Sequence, residues 1–308
     1  MNMKNLQYVL AVCQEGNITA AAHTQHVSQP ALSQAIKQEE QNLGTSIFQR
    51  GSTPLQLTPA GKRYVETGRQ IMMLEQNLKN ELSDLNGEST GILRFGISAQ
   101  EGMYLLPRVL PRFFQMYPQV KLCVEERGSA LLEEMLLDGT VDIVLARYER
   151  KREPLEYRLF AKNKLVLLCA QDTALARKYP SGSSISLRDA QGEAFVLLEK
   201  EHHIGQFVRE QFVQYGMKVK VLAEVNSFDT AKRIALSSGA VTLSPYPLFS
   251  TDPDLERQGN VYFLKNMKSS HHSYLCWRKN MYQTRYMRDW IALLEEGRSI
   301  ADISERLS

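Results

Sequence analysis

Apolar residues near the N-terminus recur at the spacing of one helix face, so the pattern predicts an α-helix over residues 4–15. This stripe consists of Leu6, Val9, Leu10 and Cys13. A second short helix is expected in ITAAAHTQ, with Thr19 as its cap, and a third helix after Ser28. Pro30 fits the first turn of the third helix because the early amides of a helix have no partner inside it.

The third helix carries a charge on its apolar face. Leu32, Ile36, residue 39 and Leu43 are spaced to lie on one face of the helix, and residue 39 is a glutamate. The other side is polar with little negative charge and presents Gln29, Ser33, Gln34 and Lys37. Two helices joined by a short turn, the second with polar side chains near its start, form the helix-turn-helix pattern that enters the major groove of DNA.

A turn-rich segment and a long helix follow. FQRGSTPLQLT has the pattern of a hairpin-like wing, in which Arg50 is free to meet a phosphate or the minor groove. Thr58 and Pro59 then begin a helix that is predicted to reach about Leu85. This helix would be roughly 40 Å long and cannot bury its apolar stripe against itself, so a partner helix and a dimer are expected. The stripe consists of Ile71, Leu74, Leu78, Leu82 and Leu85.

After the hinge NGESTG, strands and helices alternate, which is typical of an α/β fold. GILRFGI, VKLCVEE and DIVLA have the pattern of strands separated by two helices, so a βαβαβ unit with a parallel sheet is predicted. KLVLLCA opens a second such unit, and the part from VYFLK through HSYLCWR to YMRDWIALLEE is expected to return to the first. Two lobes of this kind leave a cleft between their strand ends, where small ligands bind.

Composition narrows the class of protein without naming a function. The 308 residues are 43% hydrophobic and 23% charged, which fits two or three soluble globular domains. The net charge of +3 is too small to argue for nucleic acid by itself. No segment approaches the roughly 18 apolar residues of a membrane span, and no signal-peptide cleavage site follows the N-terminus, so a cytoplasmic location is expected.

Candidate catalytic and metal-binding groups are sparse. The four cysteines are scattered in apolar surroundings, as expected of reduced core thiols: Cys13, Cys123, Cys169 and Cys276. There is no GxSxG motif or phosphate loop, and Ser98 has no His and Asp partners in a recognisable motif, so no enzyme activity is expected. The adjacent histidines at 202–203 and 271–272 match no standard metal site, so neither a metal nor another cofactor is expected.

With these patterns the chain resembles the LysR-type transcriptional regulators over nearly its whole length. The strongest similarity lies in AAAHTQHVSQPALSQAIKQEEQNLGTSIFQR followed by LTPAG, whereas GILRFGI and DGTVDIVLA are similar to the family's effector domain with less specificity. The resemblance implies a winged helix-turn-helix DNA-binding domain at 1–58, a linker (dimerisation) helix at 59–88 and a two-lobed, periplasmic-binding-protein-like effector-binding domain at 91–305. Lobe I would span 91–163 and 268–305, and lobe II 164–267.

The resemblance also implies a function. By resemblance, the chain would be a sequence-specific transcriptional regulator whose binding to DNA is switched by a small-molecule effector in the cleft. Such a protein would be a tetramer built from two dimers, would bind partial inverted repeats in promoters and would have RNA polymerase as a candidate partner. Two other classes compete: an exported nutrient-binding protein would share the lobes but not the N-terminal segment, and an enzyme would need a paired catalytic motif.

Two sets of site residues are expected. A Gln side chain can pair with adenine, and a Lys side chain can reach guanine or a phosphate. The alternatives are a helix face that is only solvated and, for Arg50, an ion pair with a local carboxylate. The expected DNA contacts are Ser28, Gln29, Pro30, Ser33, Gln34, Lys37, Arg50 and Thr53. The expected effector contacts, by resemblance, are Ser98, Ala99, Gln100, Ser129, Arg147, His202, His203 and Thr242. Arg147 would pair with the carboxylate of an organic anion.

Two positions depart from the family's pattern. Leucine is usual where this chain has Gln25 and Glu39, on faces that should pack together. Because a buried carboxylate without a partner is costly or shifts its pKa upward, we hypothesise that the Gln25 amide donates a hydrogen bond to Glu39. The alternative is that both side chains lie in water at the edge of the domain.

Overall fold

The computed structural model describes residues 2–49, 51, 54–148, 150–250, 257–265, 267 and 271–301. The chain forms two compact units, each with its own core. The first contains Met1–Glu88 with Asn280–Thr284, and the second contains Ser89–Lys279 with Arg285–Ser308. Within the described ranges, no helix is both long enough and apolar enough to cross a membrane.

The first unit begins with three helices, α1 (Met3–Glu15), α2 (Ile18–Thr24) and α3 (Gln29–Leu43). Ser28 caps α3 by accepting a hydrogen bond from the N–H of Ala31 at 3.4 Å, which confirms the predicted start of this helix. The cap of α2 is Asn17, whose Oδ1 accepts from the N–H of Ala20 at 2.7 Å. The prediction of Thr19 as the cap is therefore wrong.

A short antiparallel bridge between Phe48 and Leu57 follows α3, as a hairpin-like wing requires. Arg50 and Thr53, the predicted contacts in this wing, lie outside the described residues. The three helices and the bridge share one apolar core, because each contributes side chains to the same buried cluster. Its fully buried members include Leu6, Val9, Val12, Leu32 and Ile47.

The long helix α4 (Pro59–Leu85) completes the helices of the first unit. Thr58 caps it by accepting from the N–H of Gly61 at 2.9 Å, which confirms the predicted start. The buried residues of α4 all lie before residue 69. Beyond them the leucine stripe is exposed by 50% to 75% at Leu74, Leu78, Leu82 and Leu85. Covering this stripe requires a partner, so the dimer stays a prediction.

The second unit contains a five-stranded sheet in the order β2-β1-β3-β11-β4. Strand β1 pairs in parallel with β2 and β3, which confirms the predicted parallel core, and β11 adds antiparallel pairs with β3 and β4. The strands are β1 (Gly91–Ile97), β2 (Val120–Glu126), β3 (Ile143–Arg147), β4 (Leu155–Asn163) and β11 (His271–Arg278). The helices that flank them are α5 (Ala99–Met116), α6 (Ser129–Leu137) and α12 (Arg285–Ala301).

A six-stranded sheet in the order β6-β10-β5-β9-β7-β8 forms the other lobe. The strands are β5 (Leu165–Ala170), β6 (Ser184–Ile185), β7 (Ala194–Leu198), β8 (Lys220–Val225), β9 (Val241–Pro245) and β10 (Gly259–Leu264). Strand β10 contains most of VYFLK, so the expectation that this segment returns to the first lobe is wrong. Strand β5 is antiparallel to β9 and β10, whereas β7 is parallel to β8 and β9, and β10 is parallel to β6, so the predicted parallel arrangement holds for only part of the sheet. The helices are α7 (Ala174–Lys178), a 3-10 turn (Leu187–Ala190), α8 (His203–Gln214), α9 (Phe228–Ser237) and α10 (Pro247–Ser250).

Candidate functional site

The outer face of α3 is exposed and free of acidic side chains in its first turn. Four of the predicted DNA contacts lie exposed on this helix: Gln29, Pro30, Gln34 and Lys37. Ser28 is exposed at the cap, and Ser33 is half-buried. The N-terminus of a helix carries partial positive charge, so this end of α3 is suited to approach a phosphate backbone.

Glu40 links α3 to the wing, a contact that the sequence analysis did not assign. Its Oε1 accepts hydrogen bonds from the N–H groups of Ile47 at 2.7 Å and Phe48 at 3.2 Å. A carboxylate that accepts two backbone donors holds them firmly, because each bond is charge-assisted. The first residues of the wing are therefore fixed to the C-terminal half of α3.

The glutamate on the apolar face of α3 is buried, with only 1% of Glu39 exposed. Its Oε2 accepts a hydrogen bond from Nδ2 of Asn5 on α1 at 3.1 Å. Tyr64 of α4 lies beside it: burial raises the pKa of Tyr64, and the Glu39 carboxylate raises it further. Since α1 and α4 supply polar neighbours, Glu39 does not need Gln25, which is half-buried, as its partner. The idea that Glu39 lies in water is wrong.

The first lobe of the second unit contains a cavity of about 870 Å³ that also reaches Ile204 and Pro245 of the other lobe. Five of the predicted effector residues line it: Ser98, Ala99, Gln100, Ser129 and Arg147. Ser98 lies between β1 and α5, Ala99 and Gln100 begin α5, the start of α6 supplies Ser129, and the end of β3 supplies Arg147. These elements meet because β1 is the parallel neighbour of both β2 and β3, so their C-terminal ends lie at one edge of the sheet.

The remaining predicted effector residues lie in different places. His202 caps α8, where its Nδ1 accepts from the N–H of Ile204 at 3.2 Å, and its Nε2 lies 3.0 Å from the side-chain amide of Gln100. This contact joins the two lobes across the cleft. Thr242 is 2% exposed and borders a separate small void beside Leu198 rather than the large cavity. The side chain of His203 lies outside the described residues.

Glu101 is a cavity residue that the sequence analysis missed. It lies in the first turn of α5, is 7% exposed, and accepts hydrogen bonds from the hydroxyl groups of Ser98 and Ser273. Burial raises the pKa of Glu101, while the two serines and Arg147 act in the opposite direction. The spacing of Ser98 and Glu101 matches a helix-capping pair and was the available signal, but Ser273 lies 172 residues away in the chain.

The cleft histidine makes the stability of this unit depend on pH. Burial lowers the pKa of His202 below 6.5, and the charge of Arg147 lowers it further. As the pH falls through 6.5, the unfolded chain therefore binds a proton before the folded chain does, and stability is lost.

We expect His202→Asn, which keeps a capping side chain, to show a smaller drop in its urea unfolding midpoint than the wild type between neutral and mildly acidic pH. Tryptophan fluorescence measures this midpoint, since Trp277 and Trp290 both belong to the second unit. Because the wild type and the variant share all other titrating groups, the difference in pH dependence between them reports His202. Equal pH dependence in the two proteins would contradict the assignment.

Thiols and metals add no further site in the described part of the chain. All four cysteines are free, and burial raises the pKa of Cys13 to about 11 and of Cys276 to about 12. A thiol with such a pKa is almost entirely protonated at neutral pH and reacts slowly. Among the described residues, no group of three or more His, Cys, Asp or Glu side chains is placed to hold a metal ion.

A winged helix-turn-helix unit combined with a two-lobed cavity domain defines a DNA-binding regulator with an effector-binding domain. Residues 3–62 match the bacterial regulatory helix-turn-helix protein, lysR family, and residues 86–299 match the LysR substrate binding domain. The chain therefore belongs to the LysR family and is a DNA-binding transcriptional regulator with an effector-binding domain.

Individual relatives agree with this assignment. The DNA-binding transcriptional dual regulator OxyR of Escherichia coli is 26% identical over 263 residues, which cover 85% of this chain and 84% of that protein. A probable RuBisCO transcriptional regulator of Thalassiosira pseudonana is 28% identical over 249 residues, covering 79% of this chain and 80% of that protein.

Solved structures share the fold. A full-length OxyR variant from Pseudomonas aeruginosa has a TM-score of 0.72 at 22% identity, covering 96% of this chain and 94% of that one. Full-length CbnR in complex with its target DNA has a TM-score of 0.58 at 20% identity, covering 96% of this chain and all of that one.

Proposed function

We propose that residues 1–58 read a partial inverted repeat in promoter DNA. The observation that carries this proposal is the exposed face of α3, with its polar side chains and its first turn free of acid, held against the wing by Glu40. Gln29, Ser33, Gln34 and Lys37 would reach base edges or phosphates, and Ser28 and Pro30 would position the helix. Arg50 and Thr53 would contact the backbone from the wing.

The effector is proposed to be a small molecule with an anionic group, bound in the cavity of residues 91–305. Arg147 would bind the anion, and the first amides of α5 at Ala99 and Gln100 favour negative charge at the same place. Binding there would change the Gln100–His202 contact and hence the relative position of lobe I (91–163 and 268–305) and lobe II (164–267).

Assembly is the third part of the proposal. The exposed leucines of the helix at 59–88 would pair two chains, and two such dimers would form a tetramer whose DNA-binding heads change spacing with the effector. RNA polymerase at the promoter would be a further partner. The proposal places the protein in the cytoplasm and includes no catalytic activity, metal or other cofactor.

The experiment is a footprint of the full-length protein on the DNA that flanks its own gene. We expect a protected partial inverted repeat and a loss of affinity of about tenfold to a hundredfold for Gln34→Ala, because one good base contact contributes about 1–3 kcal/mol. Gln38→Ala is the matched control, since Gln38 is bonded to Asn42 on the same helix and is not a predicted contact. No protection at low salt, where binding is strongest, would overturn the proposal.

A further inference from the structure

A contact between two side chains joins the lobes of the second unit. Nε2 of His202, in the six-stranded lobe, lies 3.0 Å from the side-chain amide of Gln100 on α5 of the first lobe. The same imidazole packs at right angles against Phe228 of α9, with ring centroids 5.4 Å apart. Its Nδ1 caps α8 through Ile204. The ring of His202 is therefore held by groups from three helices, one of which belongs to the other lobe.

The cap of α8 determines which nitrogen of His202 carries the ring proton. Nδ1 accepts a hydrogen bond from the backbone N–H of Ile204 at 3.2 Å. A backbone N–H only donates, so Nδ1 is bare and the neutral imidazole carries its proton on Nε2. Nε2 therefore donates to Gln100, whose amide accepts only through its oxygen, and a half-turn of the amide brings that oxygen to this position. The contact between the lobes is thus a hydrogen bond from Nε2 to Oε1 that requires a neutral His202.

A second proton on the imidazole is incompatible with this arrangement. Both nitrogens of an imidazolium carry protons, so Nδ1 of His202 and the N–H of Ile204 would be two donors 3.2 Å apart. The positive charge would also lie at the N-terminus of α8, where the helix carries partial positive charge, and would be repelled by Arg147. The ring has to turn or move to relieve these contacts, and either movement takes Nε2 away from Gln100.

Acidic side chains near the ring do not reverse this effect. Glu101 follows Gln100 on α5 and accepts hydrogen bonds from two serine hydroxyls. Asp229 of α9 lies 2.9 Å from Arg233, and the charged residues 199–201 before α8 are exposed to water. The pKa of His202 is lowered in spite of these groups, by burial and then by the charge of Arg147. Protonation is therefore more costly in the folded protein than in the unfolded chain.

We propose that His202 and Gln100 form a proton-dependent latch between the two lobes, closed while the imidazole is neutral and released when it is protonated. Since the pKa of His202 lies below 6.5, the latch is closed at neutral pH and is released as the solution becomes more acidic. The cavity of about 870 Å³, which Gln100 and Ile204 line from opposite lobes, opens on release. The latch requires neither an effector nor DNA, so its failure would leave the proposed function unchanged.

Hydrogen exchange of the full-length protein, followed by mass spectrometry from about pH 7.5 down to about pH 5, tests the latch. The informative peptide is the first half of α5, because it belongs to the lobe that does not contain His202. Each rate is divided by the intrinsic exchange rate at its pH. We expect this peptide of the wild type to exchange about fivefold faster in acid, because one hydrogen bond between the lobes is lost. Loss of the cap alone would change α8 and leave α5 as it is.

Gln100→Ala removes the latch and keeps the cap of α8, so its α5 peptide should exchange fast at every pH. Gln206→Ala is the matched control, since Gln206 is exposed on α8 and bonded to Glu210, and it should behave as the wild type does. Glu101 is present in all three proteins, so the effect of its own titration is common to them. A wild-type peptide whose exchange does not change with pH, or a Gln100→Ala peptide as slow as the wild type at neutral pH, would overturn the inference.

Solid-state NMR of the sedimented wild-type protein, with 15N in the histidine rings, checks the proton position directly. The signals of His202 are identified by their absence from His202→Asn. At neutral pH we expect the proton on Nε2 and a bare Nδ1. A proton on Nδ1 would overturn the inference whatever the exchange rates, because the cap of α8 would then not depend on the protonation of His202.

Discussion

Replacing Gly61 with alanine is expected to lower the melting temperature of the DNA-binding unit by about 12 °C or more. A Cβ atom on Gly61 would lie 2.0 Å from the carbonyl oxygen of Ile47. That oxygen cannot simply move away, because it accepts the N–H of Thr58 at 2.9 Å and the N–H of Ile47 is bound to Glu40 at 2.7 Å. Overpacking of this kind costs about 3 kcal/mol, and each kcal/mol is worth about 4–8 °C in a domain of 60–100 residues.

Gly68→Ala is the matched control on the same helix. Its Cβ would meet Cδ1 of Leu6 at 2.2 Å, and the end of a side chain can rotate where a hydrogen-bonded backbone cannot. Both variants gain the same helix propensity, so a larger loss for Gly61→Ala reports the difference between a clash with the backbone and a clash with the end of a side chain. DNA binding measured as the temperature rises would report the first unit, and tryptophan fluorescence, which comes from the second unit, should stay unchanged. Equal melting temperatures for the two variants would contradict this account.

Local signals in the sequence located the helix-turn-helix because they act over a few residues. Ser28 lies two residues before Pro30 and Thr58 one residue before Pro59, and the prediction that each caps the next helix is confirmed. The cap of α2 was misplaced because Asn17 and Thr19 are both capping residues, and a helix of seven residues is too short for periodicity to choose between them. Sequence reasoning therefore placed the starts of the longer helices α3 and α4 correctly and failed at the short helix α2.

Contacts between distant residues were the part that sequence reasoning could not supply. Strand β4 was not predicted, because a bulge opposite Ser273 and Tyr274 breaks its alternation: Leu159 is exposed, while Phe160 and the next residue are both buried. The partner of Glu39 was sought on α2, the nearest helix, but Asn5 lies 34 residues away. For Glu39 the local pattern marked the anomaly correctly, and the fold decided which distant residue resolves it, whereas nothing in the local pattern marked β4.

The largest loss in the effector-binding unit is expected from Trp290→Ala, at about 3–5 kcal/mol in the free energy of unfolding. Trp290 is fully buried, and α12 brings its ring against Phe95 of β1 and Phe113 of α5, with centroid distances of 5.1 Å and 4.9 Å. Both contacts are edge-to-face, a geometry that adds to the effect of burial. Truncation would leave a cavity between the C-terminal helix and the strand that leads into the effector site.

Trp290→Phe separates packing from polarity at the same position. The indole N–H of Trp290 is buried and has no hydrogen-bond partner among the described residues, so phenylalanine removes an unsatisfied donor while it keeps a ring against Phe95 and Phe113. We expect less than half of the loss caused by alanine, measured by urea unfolding with Trp277 as the remaining fluorophore. Equal losses in the two variants would contradict this account, because they would mean that a phenyl ring against Phe95 and Phe113 does not hold α12 on the sheet.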